Sequence, residues 1–109
     1  KYLQGMSTLV SYYENSDYYK AHKDNAAFTI VSYFFNEPKQ FSGGEITLYS
    51  DNHDKKVTIE VMNNRAILFP SCTDHEVTPI GLQSKNKGDG RYCISHFIYT
   101  LPDLNRISS

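Results

Sequence analysis

Tryptophan is absent, cysteine occurs only twice, and no run of apolar residues approaches the ~18 needed to cross a bilayer as a helix. A helical membrane span is therefore excluded. Cys72 and Cys93 form neither a metal-spaced pair nor a disulfide framework, and each is read as a small buried or half-buried residue. An excess of one charge is missing too: 11 Lys and Arg stand against 12 Asp and Glu, for a formal charge of -1 with four histidines neutral. That balance gives no field of the kind nucleic acid requires. The start KYLQGMSTLV lacks an initiator methionine and the charged start and apolar centre of a signal peptide. We expect residues upstream of Lys1 to be missing, and the lack of an export signal favours the cytoplasm.

What is present points to one domain over residues 1–109. Nine Tyr and six Phe among 109 residues, 39% of them apolar, supply a core and argue against disorder. Side-chain character alternates with a period of two far more often than 3.6, and turn residues recur at short intervals. Strands are expected at 8–13, 18–22, 28–36, 45–49, 57–61, 66–69, 75–79 and 91–100. Asn36-Glu37-Pro38 ends the third, Ser42-Gly43-Gly44 introduces the fourth, and the charged Asp51 to Lys56 stretch is a hairpin loop. Asn63-Asn64 reads as a tight turn, Gly81 to Gly90 as a long polar loop, and the tail from Pro102 as weakly patterned. Seven or eight short antiparallel strands can form a sandwich, a small barrel or a jelly roll, and periodicity does not choose among them.

Three features carry chemistry. In His22-Lys23-Asp24, residues two apart share a face of an extended chain, so an imidazole and a carboxylate can converge. His75 follows the apolar Leu68-Phe69-Pro70 on a separate strand. Two histidines and one carboxylate are the donor set of the facial triad that binds non-haem Fe(II) with open positions, while three polar residues at strand ends is the plainer reading. In the last strand, alternation puts Arg91, Cys93, Ser95 and Phe97 on one face. A guanidinium buried there needs an anion, and a planar carboxylate matches its fork; otherwise Arg91 caps the strand in solvent. His53, in its charged loop, and His96, on the opposite face from Arg91, read as surface residues. Glu45 and Glu76 read as strand-end polar groups, and Lys55, Lys56, Lys85 and Lys87 as loop charges.

The order of motifs is more specific than any one of them. A Tyr ten residues before His22 is followed by His22-x-Asp24, the strand Val31 to Asn36, and Ser42-Gly43-Gly44-Glu45 with Leu48-Tyr49. Ala66 to Phe69, His75-Glu76-Val77-x-Pro79 and Arg91-Tyr92-x-Ile94-Ser95 complete the series. Over residues 12 to 98 this series resembles the iron(II) and 2-oxoglutarate dependent dioxygenases, in their prolyl-hydroxylase-like branch. The resemblance implies an all-β double-stranded β-helix, a jelly roll of about eight short strands. It implies His22, Asp24 and His75 as ligands of Fe(II), with Arg91, Ser95 and Tyr12 binding the cosubstrate 2-oxoglutarate. Tyr12, Tyr13, Tyr18 and Tyr19 would wall the site. It further implies O2 as co-reactant, ascorbate as an accessory reductant, and hydroxylation of a prolyl substrate, peptidyl or free, with release of succinate and CO2. Peptides, proteins or small molecules are then the expected partners, with neither nucleic acid nor membrane among them. Two departures stand out. Phe34 occupies the position from which relatives use a Tyr hydroxyl on the same carboxylate, and the loop around Lys85 to Lys87 is longer than usual. The chain is also too short for the helices that buttress one sheet of this fold, so these are missing or minimal. A cupin-like metal-binding jelly roll, which needs no inward Arg91, and a metal-free β-sandwich binding module are the alternatives.

Overall fold

Alternation along one strand shows how the sheets are built. From Phe28 to Phe34, Thr29, Val31 and Tyr33 are buried, whereas Phe28 is exposed and Ile30, Ser32 and Phe34 are half-buried. The computed structural model describes residues 3–100; the tail from Pro102 lies outside the described residues. Among them are ten strands and no helix: β1 (Leu3–Tyr13), β2 (Tyr19–His22), β3 (Phe28–Phe34), β4 (Phe41–Gly43), β5 (Ile46–Tyr49), β6 (Lys56–Ile59), β7 (Ala66–Pro70), β8 (His75–Val77), β9 (Ile80–Leu82) and β10 (Arg91–Thr100).

Two four-stranded antiparallel sheets, in the orders β1-β10-β3-β7 and β2-β8-β5-β6, are joined by a small β4-β9 ladder. The long first and last strands pair along their length, from Leu3 opposite Thr100 to Tyr13 opposite Arg91. Inward side chains of both sheets form one core, with Val31, Tyr33, Ile67, Phe69 and Cys93 from the first and Ile46 from the second. Burying an aliphatic or aromatic side chain of this size contributes about 1.5–3 kcal/mol, which keeps the alternation of β3 and β7 in register.

β4 and β9 were not expected, since Ser42-Gly43-Gly44 reads as a turn introducing the next strand and Gly81 to Gly90 as a long polar loop. Each has three residues, too few to show a period. They form because they pair with each other, which buries Phe41 and Ile80. The same crossing explains Gly43, whose φ is +70° and where a β-carbon would lie 2.1 Å from the Pro79 carbonyl oxygen. Asn63-Asn64 does turn the chain, with Asn64 at φ 63°, but the strands it connects, β6 and β7, lie in different sheets. Cys93 is buried as expected; Cys72 is exposed, because it sits in the turn between β7 and β8.

Candidate active site

The pairing of β2 with β8 sets His22 opposite His75 in adjacent strands of one sheet. Asp24 lies just past the end of β2, where its N–H donates to the Ser71 carbonyl at 2.9 Å. The three side chains converge so that one donor atom from each lies within 4.8 Å of the others. Asp24 Oδ1 is 3.3 Å from His22 Nε2, and Asp24 Oδ2 is 3.4 Å from His75 Nε2.

Both rings are held the same way. His22 Nδ1 lies 2.8 Å from the Lys20 carbonyl and His75 Nδ1 2.9 Å from the Thr73 carbonyl. A carbonyl only accepts, so Nδ1 carries the proton in each ring, and Nε2, the atom that faces Asp24, is the one placed to bind a metal. Burial holds the His75 imidazole below its ordinary pKa, which keeps it neutral and able to donate that pair to a metal. Phe69 packs on His75 and Tyr19 on His22, with centroids 4.7 and 4.0 Å apart.

Arg91 lines the same cavity, of about 130 Å³, as these three residues. Its guanidinium is 1% exposed and lies between the rings of Tyr13 and Tyr33, 4.6 Å from each centroid. Nε and Nη1 have no hydrogen-bond partner among the described residues, and neither has the hydroxyl of Tyr33, which is 0% exposed. A buried cation with two idle donors beside an idle phenol is arranged for an anion from outside the chain. Burial pushes the Tyr33 phenol up to about 12 against the pull of Arg91, so it stays a donor. Ser95 and Cys93 complete this wall, 3.6 Å apart at Oγ and Sγ, and burial raises the Cys93 thiol. The donor set, two imidazoles and a carboxylate on one side of a cavity, suits a divalent iron with positions left open.

Residues 8–99 match the sequence model of the 2OG-Fe(II) oxygenase superfamily. The chain belongs to that superfamily. An uncharacterized PKHD-type hydroxylase from Synechocystis sp. is 34% identical over 96 residues, covering 74% of this chain and 32% of that protein. Among solved structures, a prolyl hydroxylase from Trichoplax adhaerens, in complex with a hypoxia inducible factor oxygen degradation domain peptide fragment, superposes with a TM-score of 0.75. It is 27% identical, with 98% of this chain and 49% of that one covered. A prolyl-4-hydroxylase from Pseudomonas putida gives 0.69 at 19% identity, over 89% and 52%. A cupin domain from Bordetella pertussis shares the fold at 0.54 and 12% identity, over 87% and 82%. The chain thus spans about a third of the curated relative and half of the solved prolyl hydroxylases.

In this member of the superfamily, the cavity is lined by the sequence neighbours of two of the expected residues. Tyr12 does not face the cavity. Its hydroxyl accepts from the N–H groups of Gly88 and Gly90 at 3.1 and 3.0 Å, and its ring packs on Tyr92, so it pins the long polar loop. Tyr13, opposite Arg91 in the ladder, is the cavity residue. Likewise Phe34 points away, and the inward side chain is Tyr33, so the phenol thought to be missing is present one residue earlier. His53, read as solvated surface, is half-exposed but paired: its Nε2 is 2.6 Å from Asp74 Oδ2, and its ring stacks on Tyr49. His53 and Lys23, whose Nζ is 3.0 Å from Oδ1, hold the Asp74 carboxyl below its ordinary range. Glu76 accepts a hydrogen bond from the Tyr49 hydroxyl and lines no part of the cavity. Two buried hydroxyls were missed altogether: Thr29 donates to Asp24 Oδ2 at 2.7 Å, and Ser71 lies 2.7 Å from Thr29. A polar residue on the otherwise apolar inward face of β3 was the available signal for Thr29.

Proposed function

We propose that the protein is an iron(II)- and 2-oxoglutarate-dependent hydroxylase acting on a C–H bond of a prolyl substrate, peptidyl or free. The observation that carries the reading is Arg91, a buried guanidinium with two unpaired donors, lining one cavity with His22, Asp24 and His75. Iron(II) bound there, with 2-oxoglutarate and dioxygen, supplies oxidative decarboxylation to succinate and CO2 coupled to hydroxylation. His22, Asp24 and His75 hold the ion, with each imidazole fixed in its tautomer by a backbone carbonyl two residues earlier. Arg91 grips the distal carboxylate of the cosubstrate, with the Tyr33 and Ser95 hydroxyls beside it. Tyr13 and Tyr33 shield that ion pair from water, which strengthens it. Ascorbate serves as the accessory reductant.

The prolyl assignment draws on the kinship with prolyl hydroxylases and on the cavity rim. Leu9, Tyr19 and Phe97 line the cavity, with Leu9 and Tyr19 more than half exposed, and together they offer an apolar surface to an uncharged ring. The test is succinate release across a panel of prolyl peptides, free amino acids and alkylated nucleotides. Turnover is expected with proline or prolyl peptides. Succinate formed with another class alone would overturn the substrate assignment, and a lack of 2-oxoglutarate turnover across the panel would overturn the reaction.

A further inference from the structure

We infer that Thr29 and Ser71 are positioning residues that lock the Asp24 carboxylate in the orientation that lets it share one ion with His22 and His75. The inference rests on the metal reading above and adds two residues to it.

Proton counting makes the arrangement directional. A carboxylate is an acceptor only, so the 2.7 Å contact between Thr29 Oγ1 and Asp24 Oδ2 uses the single proton of the Thr29 hydroxyl. The second 2.7 Å contact, between Ser71 Oγ and Thr29 Oγ1, is then donated by Ser71. The backbone closes the ring, because the Asp24 N–H donates to the Ser71 carbonyl at 2.9 Å and the Ser71 N–H to Ala27 at 3.1 Å. Three segments are tied in one loop: the turn after β2, the start of β3 and the end of β7.

The burial shows that this ring serves the carboxylate. Thr29 is 1% exposed and Ser71 0%. Thr29 shares its inward face with Val31 and Tyr33, where a valine of the same shape would fill the space with no hydroxyl to satisfy. Among the described residues, the carboxylate oxygens of Asp24 have only three partners: His22, His75 and Thr29. The terminal torsion of an aspartate is broad, so without Thr29 nothing but the two imidazoles would fix the carboxylate plane. With it, the orientation is set before the ion arrives, and the ion does not have to order the ligand.

Cobalt(II) is the probe, because its d–d absorption reports the geometry of the ligand set as well as occupancy. It is titrated into the metal-free wild type, Thr29→Val, Thr29→Ser and Ser71→Ala. Thr29→Val is expected to weaken Co(II) binding by about 10- to 100-fold and to change the d–d bands. Thr29→Ser, which returns the hydroxyl, restores both, and Ser71→Ala falls between. A merely structural role would lower stability but leave the spectrum of the bound ion alone. Wild-type affinity and an unchanged spectrum in Thr29→Val would overturn the inference; should that variant not fold, the same result in Ser71→Ala would do so. A wild type that binds no Co(II), or binds it equally well after His75→Ala, is a different failure: it removes the metal site, and the inference with it.

Discussion

Replacing Arg91 with methionine should remove cosubstrate binding while leaving the fold and the metal intact. The guanidinium is 1% exposed, and its Nε and Nη1 are unpaired. Hydrogen bonds to a charged group contribute about 1.5–3 kcal/mol each, so a carboxylate held by two N–H groups of the guanidinium fork gains about 3–6 kcal/mol. At about 1.4 kcal/mol per decade, that is a loss of roughly 100- to 10,000-fold in affinity for 2-oxoglutarate. In the absence of ligand the effects oppose one another. Methionine gives up the contacts with the Tyr13 and Tyr33 rings, about 0.5–2 kcal/mol each, but it also removes two unsatisfied buried donors that cost about 1–3 kcal/mol each. The net change in stability should lie between about 2 kcal/mol of loss and about 5 kcal/mol of gain, so the fold is kept. Anaerobic calorimetric titration of 2-oxoglutarate into the metal-loaded protein measures the first number, and denaturant unfolding of the metal-free protein the second. The melting temperature of the wild type should rise with added 2-oxoglutarate, and that of Arg91→Met should not. Equal cosubstrate affinity in the two proteins would refute the reasoning, and Arg91 would then have no role in the site.

Three further outcomes follow from the same geometry. The Tyr33 phenol ionises near 12 in the folded protein and near 10 when unfolded, so stability should fall as pH rises from about 10 towards 12; Tyr33→Phe should remove that part of the loss, as read by denaturant titrations at about pH 9 and 11. Gly44 adopts φ +70° and lies where a β-carbon would come within 2.8 Å of Ile80 Cδ1 and 3.0 Å of Arg91 Cδ. Gly44→Ala should therefore cost about 1–3 kcal/mol in denaturant unfolding and weaken 2-oxoglutarate binding by displacing Arg91. Tyr12→Phe deprives the Gly88 and Gly90 N–H groups of their acceptor, so their amide exchange should speed up, about tenfold for a ~1.4 kcal/mol loss, with cosubstrate affinity unchanged. A fall in affinity would return Tyr12 to the cosubstrate pocket.

Much of this was legible because strands write their faces into the chain with a period of two. The inward set Arg91, Cys93, Ser95 and Phe97 was read from alternation alone, and these four line the cavity. Tyr12 and Phe34, by contrast, lie at strand ends, where the period of two stops fixing position. Tyr12 was reached by counting back from His22 through the turn Glu14 to Asp17, whose length no periodicity fixes; the pairing of β1 with β10 sets Tyr13 against Arg91 instead. Phe34 was placed by the family resemblance near the end of a strand expected to run to Asn36, but β3 ends at Phe34, and Phe35 packs edge-on against Phe41 at 5.3 Å. Thr29 and Ser71 escaped notice because their partnership spans 42 residues and exists only once β3 and β7 are paired. The β4-β9 ladder was hidden for the same reason, since neither half has a pattern without the other.

The central claim, that this cavity joins a His-Asp-His iron site to a 2-oxoglutarate site, is tested most directly by anaerobic visible spectroscopy. Fe(II) followed by 2-oxoglutarate should produce a weak charge-transfer band in the wild type. His75→Ala should show no band because iron is lost, and Arg91→Met should need far more 2-oxoglutarate to reach it. Iron bound by the wild type with no band at saturating 2-oxoglutarate would contradict the account.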